Sequence, residues 1–168
     1  MEDGVALRGH LGQGSVEGGQ EHSLVVKADG SVWAFGENQY GQLGNDSTTD
    51  SLVPVQVHLL TGVVSASAGY SHSLAVKSDG TVWAWGYNQY GRLGDGTTTD
   101  RSVPVAVSGG RSDSQITAGS GHTCALDASG QALCWGANYI GRLDDPLTKV
   151  KSLSDHPSDG AARGPGPP

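Results

Sequence analysis

The chain repeats itself every fifty residues. His22, His72 and His122 are spaced by that interval, as are Gly30, Gly80 and Gly130. So are Gly36, Gly86 and Gly136, then Asn38, Asn88 and Asn138, then Gly41, Gly91 and Gly141. Between residues 22–50 and 72–100, 20 of 29 positions are identical. A fixed period of this length is the mark of one supersecondary unit stacked on copies of itself. Such units bury their apolar faces against one another rather than within themselves. The period therefore predicts an array of modules whose work is binding or assembly.

Each copy reads as strands. In the second, Val63–Ala68 is a short β-prone run, and Ser71–Lys77 alternates in polarity. Ser78-Asp79-Gly80 turns the chain and Thr81–Gly86 returns. A three-residue hairpin loop with Gly in the left-handed position fits this spacing. It pairs Val76 with Val82, Ala75 with Trp83 and Leu74 with Ala84. One face then carries Leu74, Val76, Val82 and Ala84, and the other Ala75, Trp83 and Trp85. A hairpin apolar on both faces must be covered on both. A Gly-rich loop follows from Tyr87 to Ser102, and Val103–Val107 reads as a fourth, outer strand. Pro104 and Pro54 suit an edge position, because they donate no ladder hydrogen bond. The 27 glycines also favour many turns and short strands over long helices.

The organisation that follows has three parts. Residues 1–20 are a Gly-rich N-terminal segment holding a partial strand. Residues 21–143 are three repeats, about 21–61, 62–110 and 111–143. Residues 144–168 hold five of the seven prolines and read as a disordered tail.

The strings HSLAVKSDGTVWAWGYNQYGRLGDGT, HSLVVKADGSVWAFGENQYGQLGND and HTCALDASGQALCWGANYIGRL closely resemble the repeats of the regulator of chromosome condensation family. His, Asp-Gly, Trp-Gly, Asn, Gly and Leu-Gly recur together at that family's offsets. The resemblance implies an all-β fold, a β-propeller of four-stranded blades usually seven in a ring. Three repeats supply only two to three blades, a partial propeller. Its terminal blades would expose apolar faces, a cause of self-association. The resemblance also implies a non-catalytic protein-binding or scaffold module. The alternative it implies is a fragment of a guanine-nucleotide exchange factor for a small GTPase. The founding member's exchange activity uses a complete ring and a protruding wedge, and no insertion here matches one.

Individual residues point to structure rather than catalysis. The three histidines lack Cys, Asp or Glu companions in a ligand-like cluster, so they are read as imidazoles bonded between blades and not as metal ligands. Trp33, Trp83, Trp85 and Trp135 are read as packing between blades. Asp29 and Asp79 belong to Asp-Gly turns, where the carboxylate caps the turn. No Ser, Cys or Lys nucleophile stands beside a plausible base, so neither an enzyme nor a cofactor site is expected. Cys124 and Cys134 replace the facing pair Leu74 and Ala84, a separation that a disulfide can span. In an oxidising compartment they bond; in the cytosol they stay reduced and pack as small apolar residues. Both states stay open, with the reduced one favoured because no secretory signal is legible.

The net charge of −7, with only 10 Lys and Arg, argues against nucleic acid as a partner. No apolar run is long enough to span a bilayer, so no membrane partner is expected and a cytoplasmic location is. The partner expected is another protein.

Overall fold

The computed structural model describes residues 14–109 and 112–138, and the chain there is all-β. Strands β1 (Ser15–Gly18), β2 (His22–Val26), β3 (Val32–Gly36) and β4 (Ser51–Gln56) form the first sheet. Strands β5 (Val63–Ala68), β6 (His72–Lys77), β7 (Val82–Gly86) and β8 (Arg101–Ala106) form the second. Strands β9 (Asp113–Ala118), β10 (His122–Asp127) and β11 (Ala132–Gly136) form a third, three-stranded among the described residues. Each sheet is an antiparallel meander in chain order, so each repeat is one propeller blade.

The central hairpin has the register its sequence dictates. Val76 opposes Val82, Ala75 opposes Trp83 and Leu74 opposes Ala84. Gly80, at φ 81°, closes the turn in a conformation that residues with a Cβ avoid. Asp79 Oδ1 accepts from both the backbone N–H and the hydroxyl of Thr81. Asp29 does the same for Ser31. The third copy lacks that Asp. Asp127, two positions earlier in the repeat, caps its turn by accepting from the N–H groups of Ser129 and Gln131.

Two boundaries differ from the sequence reading. The first blade begins at Ser15 rather than residue 21, because β1 pairs along β2 from Ser15↔Val26 to Gly18↔Ser23. The outer strand of the second blade begins at Arg101 and not Val103, since Arg101 already opposes Gly86. The end of the third repeat, with Gly141, and the tail at 144–168 lie outside the described residues.

The core lies between blades. Leu24, Val26, Val32 and Ala34 of blade 1 meet Ala66, Ala75 and Trp85 of blade 2, with Leu43 and Val57 closing the seam. On its other face blade 2 sets Leu74, Ala84 and Leu93 against Ile116 and Ala118 of blade 3. Strand β6 is consequently buried at every position from His72 to Val76. Its counterpart β2 alternates between buried and half-buried, because only one face of blade 1 is covered among the described residues.

Candidate functional site

The long loop from strand three to strand four of each blade is fixed from within. Asn38 is fully buried. Its side-chain amide donates to the carbonyls of Ser47 and Thr49 at 2.9 and 3.0 Å, and its Oδ1 accepts from Leu43 N–H at 2.9 Å. Its own N–H donates to Asp50 Oδ1 at 2.7 Å. Asn88 repeats the pattern with Thr97, Thr99, Leu93 and Asp100. A buried amide with all its polar atoms used makes one loop conformation far better than others. Gly41 and Gly91 sit within these loops, and the backbone there turns at positive φ. Desolvation pushes the Asp95 carboxyl up, but bonds from Thr97, Arg101 and Asn88 outweigh it and hold its pKa below the ordinary value.

These loops and the turns before β2 and β6 share one end of the blades, as Glu37 N–H donating to Glu21 O and Tyr87 N–H to Ser71 O show. On this loop face the rings of Tyr40 and Tyr87 stack across the blade boundary, centroids 4.3 Å apart. The Arg92 guanidinium lies 4.5 Å from the Tyr87 centroid and 5.8 Å from that of Tyr90. Blade 1 fills the corresponding positions with Glu37 and Gln42, joined by a 3.2 Å hydrogen bond. The same slot thus holds a polar pair in one repeat and a cation–aromatic pair in the next.

Beneath the loops runs a repeated bond network between blades. Ser73 Oγ donates to Gln42 O at 2.8 Å, so His22, 2.8 Å away, must offer it a proton from Nε2. Trp85 Nε1 donates to that same Gln42 carbonyl at 2.9 Å. One repeat on, His72, Thr123, Trp135 and the Arg92 carbonyl repeat the set. Burial drops the His22 pKa to about 4. It drops that of His72 to about 3, helped by Arg92 and the neighbouring histidines. Both are neutral at pH 7. Gly69 lies close against the His72 ring, where a Cβ would come within 2.4 Å of Cε1. The acceptors Gln42 and Arg92 act through backbone carbonyls, which leave no side-chain signal. Ser23, Ser73 and Thr123 do keep the period, and a search for small hydroxyls would have found them.

The four tryptophans divide. Trp85 and Trp135 are fully buried. Trp33 and Trp83 are half-buried near the hairpin turns, and Lys27 and Lys77 lie over them at 4.0 and 5.7 Å. Half-buried as it is, Trp83 still packs against the seam between blades 1 and 2. Trp33 lies with Val25 and Phe35 on the face of blade 1 that is uncovered among the described residues. Cys124 and Cys134 are directly paired in the β10–β11 ladder and joined as a disulfide, Cα atoms 4.0 Å apart, so the reduced state favoured from the sequence is not the one observed. Gly30 and Gly130 close their hairpin turns, Gly36, Gly86 and Gly136 end β3, β7 and β11, and Asn138 follows β11. Among the described residues no three His, Cys, Asp or Glu side chains converge on one point, and no helix is long and apolar enough to cross a membrane.

Comparison with known proteins agrees with this architecture. The family model described as Regulator of chromosome condensation (RCC1) repeat matches residues 29–76 and 79–126, more than half of the chain. A second model of the same description matches 15–42, 63–92 and 114–141. The Ultraviolet-B receptor UVR8 of Arabidopsis thaliana is 44% identical over 45 residues, which is 27% of this chain and 10% of that protein. Human WBSCR16 superposes with a TM-score of 0.68 at 30% identity, over 74% of this chain and 33% of that one. Yeast RCC1 (Prp20), solved with Kap60 bound, superposes with a TM-score of 0.67 at 23% identity, over 86% of this chain and 37% of its own. The chain spans about a third of the length of these solved relatives and a tenth of the receptor.

Proposed function

The chain belongs to the Regulator of chromosome condensation (RCC1) repeat family, and we propose that it serves as a non-catalytic protein-binding module working through its loop face. The observation that carries this reading is the pair of loops locked by Asn38 and Asn88, which hold Tyr40, Tyr87 and Tyr90 together on one surface. Rigid loops lose little entropy on binding, and tyrosine with arginine is the composition that protein interfaces favour. A yeast protein of the same fold has been solved with a protein, Kap60, bound to it. The face of blade 1 that is uncovered among the described residues adds a second contact surface, for self-association or for further repeats. It carries Val16, 62% exposed, with Val25, Trp33 and Phe35 half-buried.

Two measurements test the reading. Crosslinks between the chain and captured proteins should map to residues 37–50 and 87–100; crosslinks confined to the hairpin-turn end would overturn it. Added to a small GTPase loaded with labelled GDP, the chain should leave nucleotide release at its spontaneous rate. Acceleration would replace the proposal with the exchange-factor alternative. Sedimentation at micromolar concentration tests the second surface, with association expected and a strict monomer contradicting it.

A further inference from the structure

Among the described residues the exposed charge of the loop face is mostly negative, with the part-exposed Arg101 the exception. Glu21, Asp46, Asp50 and Asp100 are exposed there, and Glu37 is half-buried. The loops hold two arginines among the described residues and their flanks. Arg101 is tied to Asp95 at 2.8 Å, and Arg92 is only 4% exposed, against the tyrosine rings. Lys27 and Lys77 lie at the opposite, hairpin-turn end. Tyr90 is 40% exposed, and Tyr40 is half-buried.

We infer that this face binds a basic, arginine-containing segment of a partner protein, with Tyr40 and Tyr90 as the stacking platform and Glu37, Asp50 and Asp100 as counter-charges. The inference rests on the binding-module reading above and names the partner's chemistry. The fold already displays the contact, since Arg92 sets its guanidinium over Tyr87 and Tyr90 from within. A planar guanidinium stacks on an aromatic ring and pairs with carboxylates at once, and it sheds water more readily than an ammonium does. A surface offering both rings and carboxylates therefore selects arginine over lysine more strongly than its carboxylates alone would.

The test uses the full chain with fluorescein-labelled nona-arginine and nona-lysine, read by anisotropy at low and at physiological salt. Nona-arginine should bind about tenfold tighter than nona-lysine, a gap that two aromatic contacts supply. The Tyr40→Leu, Tyr90→Leu double variant keeps apolar bulk and removes the rings, so the gap should shrink to the small preference that carboxylates alone give the guanidinium. If it does not fold, Tyr90→Leu alone should narrow the gap. Asp50 and Asp100 each use Oδ1 to accept a backbone N–H at 2.7 Å. Asn at these positions keeps that acceptor while removing the charge. Asp50→Asn with Asp100→Asn should thus weaken both peptides and flatten the salt dependence. Equal binding of the two peptides by the unaltered chain, a preference undiminished by loss of the rings, or no binding at all would each overturn the inference. None of those results bears on the binding-module reading, which depends on where captured proteins crosslink.

Discussion

Strands β2 and β6 have nearly the same sequence, HSLVV against HSLAV, and different surroundings. In blade 2 the face with Ser73, Ala75 and Trp85 is sealed, each residue at most 1% exposed. In blade 1 the equivalent Ser23, Val25 and Phe35 are half-buried. The Trp85 indole reaches back to the Gln42 carbonyl of the preceding blade, and Phe35 has no N–H with which to do so. A repeat of this kind therefore encodes two halves of two interfaces rather than a finished core. Its stability belongs to the seams, as expected of units that bury little alone.

That contrast can be broken most sharply at the seam indoles. Trp85→Ala or Trp135→Ala should cost ~3–5 kcal/mol, from lost burial and the cavity left behind. Phe35→Ala should cost clearly less in the same denaturant titration. Equal losses would mean that blade 1 is as well covered as blade 2.

Acid should open the seams next. An unfolded histidine takes a proton near pH 6.5, whereas folded His22 resists until about 4. Between those values the unfolded chain binds more protons, so stability is full above about pH 6.5 and falls as the pH drops. His22 alone should contribute a loss of ~3 kcal/mol over that whole interval. His72, with its still lower pKa, adds to it. Denaturant midpoints measured from pH 7.5 down to about 5 avoid most carboxylate titration. A flat profile there would show that the histidines are not held neutral between blades.

The third effect concerns blade 3, where a disulfide replaces the Leu74–Ala84 packing pair of blade 2. Closing so short a loop should stabilise by ~2–3 kcal/mol. Dithiothreitol should lower the denaturation midpoint of the unaltered chain and leave a Cys124→Ala, Cys134→Ala variant unmoved. An unaltered midpoint in both would place the two cysteines among ordinary small packing residues.

Much of the fold was legible because a hairpin writes its own register. Lys77 to Thr81 bracket a turn whose Gly and Asp fix the pairing of Val76 with Val82, and everything along β6 and β7 follows. The doubly apolar faces likewise announced a stacked array. Strand β1 was less visible, since Ser-Val-Glu-Gly shares little with the later copies and is recognised only by its pairing to β2. The division among the tryptophans was hidden for a different reason. Trp83 and Trp85 lie on the same face of one strand and both pack on the seam, and only their height along it decides which one is sealed from solvent. The candidate site was the least legible part. Asn38 and Asn88 stood out by their period, but the Tyr40–Tyr87 stack joins residues from non-equivalent positions of two repeats, which no comparison of copies brings together.

The central claim is that each blade is completed by its neighbour through the indole and histidine bonds at the seam. Hydrogen exchange at the four tryptophan indole N–H groups, followed by NMR at neutral pH, tests it most directly. Trp85 and Trp135 donate to buried carbonyls of the preceding blade, so their protons should exchange only with opening of the array. Trp33 and Trp83 donate to hydroxyls of Ser31 and Thr81 beside the turns, at 3.3 and 3.2 Å, and should exchange fast. Two slow and two fast indoles are the expected result. Four indoles exchanging at one common rate would contradict the account.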